Sequence, residues 1–180
     1  HDSDGRTPLH LAAKSGSITA VNILIKDGAQ INERDNLFQT PIILAALFGR
    51  SVLKDLIVNG ADLNLPDDKG KTPLHVSILS RHSFAATFLI QQNAIVNAAD
   101  QEGKTPLHMA SHFENSDLVD LLLKAGAGVN AVDINNRTPL HRCTSTHVLT
   151  SLIQSGASVN SKDNRGKTLL HYTIEYLCDS

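Results

Sequence analysis

The chain has 180 residues, 41% of them hydrophobic and 19% charged, which suits a soluble globular domain with a continuous core. Its formal net charge is −2, with acidic and basic residues scattered rather than blocked, which argues against nucleic acid or an anionic membrane as partner. No apolar run approaches the roughly 18 residues needed to cross a bilayer, and the opening "HDSDGRTP" has no signal-peptide pattern.

Along the chain, the elements recur. "TPLH" begins at Thr7, returns at Thr72, Thr105 and Thr138, and relaxes to "TPII" at Thr40 and "TLLH" at Thr168. An Asp stands five positions before each Thr: Asp2, Asp35, Asp67, Asp100, Asp133 and Asp163. A closing phrase ends at Asn32, Asn64, Asn97, Asn130 and Asn160, as in "DGAQIN" and "NGADLN". Periodicity of this kind predicts a solenoid of stacked units.

Each unit reads as two short helices and a turn. Thr can cap the first helix while Pro at its first position forfeits no hydrogen bond. The first helix of unit one carries small Ala12 and Ala13, which permit close helix approach. Its second helix carries Val21, Leu24 and Ile25 on one face and ends at Gly28, suited to a left-handed cap. The polar segment that follows predicts a projecting finger.

These residues resemble the ankyrin repeat, over the whole chain and in six units: about 2–34, 35–66, 67–99, 100–132, 133–162 and a partial 163–180. The resemblance implies an all-α solenoid of helix-turn-helix units with β-hairpin-like fingers. The incomplete last unit and the missing initiator Met suggest a segment of a longer protein. Two cysteines, Cys143 and Cys178, lack metal-type spacing and fit a reducing compartment, so an intracellular setting, cytoplasm or nucleus, is expected.

His10, His75, His108, His141 and His171 share one register. Being one repeat apart, roughly 10 Å by helix-packing distances, two of them cannot share a zinc with bonds of about 2 Å. The resemblance implies a structural hydrogen-bonding role for this His, and the recurring Asp reads as a turn-former. No nucleophile elbow, phosphate-binding loop or paired-carboxylate motif stands out, so no catalysis, cofactor or metal is expected.

Function is sought where the copies differ. The resemblance implies that finger tips and first-helix ends line a concave groove. Unit one contributes Ser3, Asp4, Arg6, Lys14 and Ser15, and unit two contributes Asn36, Leu37, Gln39, Leu47 and Phe48. Unit three offers Asp68, Lys69, Lys71, Leu79 and Ser80; unit four offers Gln101, Glu102, Lys104, His112 and Phe113. Ile134, Asn135 and Arg137 follow in unit five, then Asn164, Arg165, Lys167, Glu175 and Tyr176 in unit six. Apolar Leu37, Leu47, Phe48, Leu79 and Phe113, with a basic row of Arg6, Lys71, Lys104, Arg137 and Lys167, suit a protein or peptide ligand with apolar anchors and acidic residues. Leu47 and Phe113 packing inward is the structural alternative. A fragment of this kind is expected to be monomeric and to act as a non-catalytic interaction module. The alternatives are a spacer packing on its own chain, or a substrate-recruiting segment of a larger enzyme.

Three departures from the repeat also stand out. Phe38 replaces the turn glycine of Gly5, Gly70, Gly103 and Gly166, so its finger either rearranges or bears strain; Asn136 takes the same place in unit five. Unit five is three residues shorter between its helices, and it places Arg142 where Leu11, Leu44 and Val76 stand. Lastly, Leu56 and Asp62 flank Asn64 in a pattern similar to ankyrin asparagines hydroxylated by an oxygen-sensing enzyme, which makes Asn64 a candidate modification site.

Overall fold

The computed structural model describes the chain apart from Arg50, Asp179 and Ser180, with side chains described as far as Ile174. The expectations for the side chains of Glu175, Tyr176 and Cys178 therefore lie outside the described residues. Two compact units, His1–Ile95 and Val96–Ser180, divide it.

In the first unit, helices α1 (Pro8–Ser15), α3 (Pro41–Leu47) and α5 (Pro73–Leu79) stack side by side. Each is backed by its own second helix: α2 (Ile18–Lys26), α4 (Leu53–Val58) and α6 (Ser83–Gln91). Leu9, Leu44, Leu56, Leu74 and Leu89 fill the space between them and are almost wholly buried. Ala13, Ala45 and Ala46 are buried in the first helices, where a larger side chain would hold the row apart. Truncating one of these leucines to Ala is expected to destabilise the unit by about 2–5 kcal/mol.

The second unit repeats the plan with α7 (Pro106–His112), α8 (Ser116–Lys124), a 3-10 turn (Pro139–Arg142), α9 (Thr146–Gln154) and α10 (Leu169–Cys178). The 3-10 turn packs between α7 and α10, and α8 packs on α9. Leu107, Leu122, Leu140 and Leu152 form its core. Here the structure corrects the expected two-helix unit: the three missing residues come out of the first helix itself, which survives only as the 3-10 turn. Cys143 then leaves in extended conformation, φ −93° and ψ 122°.

The reason lies in the connection between helices. Units one to four place a left-handed residue there: Gly16, Gly49, Arg81 and Glu114, with φ of 78°, 62°, 58° and 56°. Unit five lacks that position, so its helix has no residue with which to turn and must stop a step earlier. At Gly49 the absence of a side chain is required twice over, because the His82 ring lies 2.7 Å from where a Cβ would stand.

Helix starts are held by a reciprocal cap. The hydroxyl of Thr7 accepts the His10 N–H at 3.4 Å, and His10 Nδ1 accepts the Thr7 N–H at 3.1 Å. Thr72, Thr105 and Thr138 repeat the arrangement with His75, His108 and His141. Since Nδ1 accepts, the ring proton sits on Nε2, free to reach the next repeat: His10 donates to the Gln39 carbonyl and His108 to the Arg137 carbonyl, both at 2.9 Å.

Among the described residues there is no strand, so the fingers are turns rather than paired β-hairpins. Asp35 Oδ1 accepts the N–H groups of Leu37 and Gln39 at 2.9 Å, and Asp67, Asp100, Asp133 and Asp163 do the same in their fingers. One backbone bond ties each finger to its neighbour within a unit, as in Asp68 N–H to Leu37 O at 3.0 Å and Asn164 N–H to Asn135 O at 2.9 Å. Phe38 does not rearrange its finger. It holds φ 58° and keeps the same turn bond, Phe38 N–H to Asp35 O at 2.9 Å.

Candidate functional site

The candidate binding residues fall on both units, and each set is positioned by its own finger and first helix. In the first unit Leu37, at a finger tip, is 49% exposed. Phe48 caps α3 and Leu79 ends α5, and both remain exposed. Lys14, at the end of α1, places its ammonium 5.5 Å from the centre of the Phe48 ring, so α1 and α3 share one cation–aromatic surface. Gln39 and Lys71 are half-buried at finger bases, where the Gln39 carbonyl is committed to His10.

The structure narrows the apolar set. Leu47 is half-buried, one turn beyond the fully buried Ile43, and so shares its side chain between core and surface. In the second unit Phe113 is half-buried too, its ring tilted against that of exposed His112 at 5.3 Å. The apolar members that remain exposed are thus Leu37, Phe48 and Leu79.

The basic row is largely spoken for within the fold. Arg6 pairs with Asp4 at 2.7 Å and approaches Asp35 at 3.6 Å. Lys104 pairs with Glu102, and Arg137 with Asp133 at 3.0 Å. Burial, the largest single influence on Asp133, opposes its ionisation. The N–H groups of Arg137 and Asn135 and the Arg137 guanidinium together outweigh it and hold the carboxyl below its ordinary 3.8.

Unit two bears the structural consequences of its departures. Ile43 fills the histidine place and is fully buried, but it cannot cap, so the Thr40 hydroxyl is buried without a hydrogen-bond partner. The Phe38 ring, 52% exposed, lies beneath the Arg34 guanidinium at 5.5 Å.

The closing asparagines form a second ladder. Asn32 Oδ1 accepts the Asp62 N–H at 2.8 Å, Asn97 the Gly128 N–H at 2.7 Å, and Asn130 the Ser158 N–H at 2.9 Å. Candidate Asn64 belongs to it: its Oδ1 accepts the Ile95 N–H at 2.8 Å, and its own N–H donates to Asp62 Oδ1 at 2.8 Å.

Cys143 is buried, and burial followed by the negative charge of Glu114 pushes its thiol up to about 11, against the lowering effect of its bond to the Ser145 carbonyl. A thiol so held is a poor nucleophile. Among the described residues no three His, Cys, Asp or Glu side chains gather at metal-binding distance, and no helix is long and apolar enough to cross a membrane.

Sequence reasoning missed two groups. Arg81, Asn93 and Glu114 hold positive φ without being glycines; their register with Gly16, Gly49 and Gly28 was the available signal. Phe84 and Val58, on second helices, are 76% and 75% exposed. Phe84 stacks parallel to Phe88 at 6.4 Å.

Comparison with known proteins agrees with this architecture. A family model described as "Ankyrin repeats (3 copies)" matches residues 42–133 and 112–179, and one described as "Ankyrin repeat" matches residues 4–36. Over 95 residues the chain is 39% identical to human Neurogenic locus notch homolog protein 1, covering 52% of this chain and 4% of that protein. It is 32% identical over 103 residues to human Rabankyrin-5, covering 50% and 9%, respectively. Similarity extends to Alpha-latrotoxin-Lt1a of Latrodectus tredecimguttatus, 38% over 93 residues, covering 50% and 7%. The chain thus spans less than a tenth of the length of these relatives.

Proposed function

The chain belongs to the ankyrin-repeat family, and from that premise we propose that it is a non-catalytic module that binds a protein or peptide through its fingers and first-helix ends. The observation that carries this reading is the exposure of Leu37, Phe48 and Leu79 within one compact unit, at positions where the repeat scaffold requires no large apolar side chain. Half-buried Leu47 and the Lys14–Phe48 pair extend that surface. Apolar side chains grouped in this way favour contact with a partner over contact with water. Gln39 and Lys71 supply polar edges in the first unit; Lys104, His112, Phe113 and Arg137 are a separate set of candidate contacts in the second.

Binding works by preorganisation. Capped helices and hydrogen-bonded fingers are set before the partner arrives, so little ordering entropy is lost on that side. The test is affinity capture with the 180-residue chain beside the Leu47→Ala/Phe48→Ala variant. Proteins retained by the first and lost by the second, at equal helical content, support the reading; unfolding of the variant would assign both residues to the core.

A spacer that packs on its own longer chain is the second reading, favoured by the exposed Phe84 and Val58 on the opposite helices. Self-association abolished by Phe84→Ser would support it. Hydroxylation of Asn64 is a separate proposal, resting on its sequence setting. Mass spectrometry showing no added oxygen at Asn64 after treatment with an asparaginyl hydroxylase removes it.

A further inference from the structure

The second unit contains a cavity of about 370 Å³ lined chiefly by Arg137, Arg142, Asp163, Arg165, Lys167 and Tyr172. It lies where two successive repeats depart from the pattern at one register. Leu11, Leu44, Val76 and Met109 hold that register as apolar side chains, buried in all but the first repeat. Repeat five places half-buried Arg142 there, at the end of the shortened helix, and repeat six places Tyr172.

The charges around this cavity do not cancel. Arg137 is paired with Asp133, and the Asp163 carboxylate already accepts the N–H groups of Arg165 and Lys167 at 2.8 Å and the Tyr172 hydroxyl at 2.7 Å. Among the described residues neither Arg142 nor Arg165 forms an ion pair. Among the described residues, four cations stand against two carboxylates, a net charge of +2.

We propose that this cavity binds a phosphorylated side chain of a partner peptide. A phosphomonoester carries about −1.5 to −2 charges at neutral pH, which matches the surplus, whereas a single carboxylate would balance half of it. Arginine presents a planar fork of donors suited to phosphate oxygens, and such charge-assisted bonds are the stronger class. Asn164, which also lines the cavity, donates its side-chain amide to Ile134 O at 3.1 Å and offers its amide oxygen as an acceptor to the flanking peptide backbone. The site stands on residues of the second unit alone and does not depend on the Leu47 and Phe48 surface.

The test is amide NMR of the 180-residue chain titrated with a short phosphoserine peptide, its unphosphorylated twin and inorganic phosphate. Saturable shifts at Asn135, Asn164, Arg165 and Lys167 are expected with the phosphopeptide. Binding should be weakened about tenfold or more in Arg142→Gln/Arg165→Gln. Exposed Arg165→Gln alone, in which folding is not at issue, should weaken it measurably. The proposal is overturned if no phosphate probe moves these amides up to tens of millimolar, or if Arg165→Gln binds like the parent. Equal binding of the unphosphorylated twin would remove the phosphate, and equal affinity for inorganic phosphate would make this a free-anion site.

Discussion

His10 donates through Nε2 to the carbonyl oxygen of Gln39 at 2.9 Å, so the start of one first helix holds the finger base of the next repeat. The ring proton sits on the outer nitrogen, because the inner one accepts the Thr7 N–H. Stacking and capping are thus two ends of one side chain.

The same relationship at His108 has a pH consequence. Burial, the largest influence, holds its imidazole below the ordinary value of 6.5 despite the raising effect of the Arg137 carbonyl. The folded chain therefore binds this proton less readily than the unfolded chain. Stability from this group is fully present above pH 6.5 and is lost as pH falls through that value towards the folded pKa. Ring shifts of His108 followed by NMR should titrate with a lowered midpoint, and the urea midpoint should be lower at about pH 5.5 than at about pH 7.5. A His108 midpoint at or above the ordinary value would contradict this.

Unit two should be improvable in two independent ways. Ile43→His supplies the donor and acceptor that Thr40 lacks, with an expected gain of about 1 kcal/mol. Phe38→Gly relieves a bulky residue at positive φ, for roughly 0.5–1 kcal/mol after the added freedom of the unfolded glycine is subtracted. Denaturant melts of both single variants check this. A loss of stability in Ile43→His would mean that the buried methyls outweigh the cap.

Such features separate what a sequence discloses from what it hides. The Thr-Pro-Leu-His cap acts between residues three apart, so its chemistry is complete within one short phrase. Phe38 was legible for the same reason: a glycine register defines a backbone conformation whatever the packing. The shortened helix of unit five was visible as a deletion, but which element absorbs it depends on the neighbours α7 and α10. Likewise Arg142 was legible as a charge out of place, whereas its meeting with Tyr172 and Arg165 arises only when successive repeats stack. Exposure was the least legible property, since Leu47 and Leu79 stand at similar places yet differ in how far the core takes them in.

The asparagine ladder should matter to stability rather than to binding. Asn97 and Asn130 each accept one N–H and donate to one carbonyl of the following closing turn, at 3.0 Å to Gly126 O and Gly156 O. Replacing either by Ala removes two hydrogen bonds, with an expected loss of about 1–3 kcal/mol. Chemical denaturation measures it, and hydrogen exchange should show faster opening around residues 126–131 or 156–161. Unchanged protection there would rule out the ladder as a brace.

Finger and first-helix residues of the first unit are proposed to bind a protein partner without being needed for the fold. The most direct measurement is the dissociation constant of a captured partner for the parent chain and for Leu47→Ala/Phe48→Ala, taken with their circular dichroism. Binding weakened about tenfold or more, the scale of a buried aromatic anchor, is expected, with helical content unchanged. Equal affinity in the two chains, or collapse of the variant's helical signal, would contradict it.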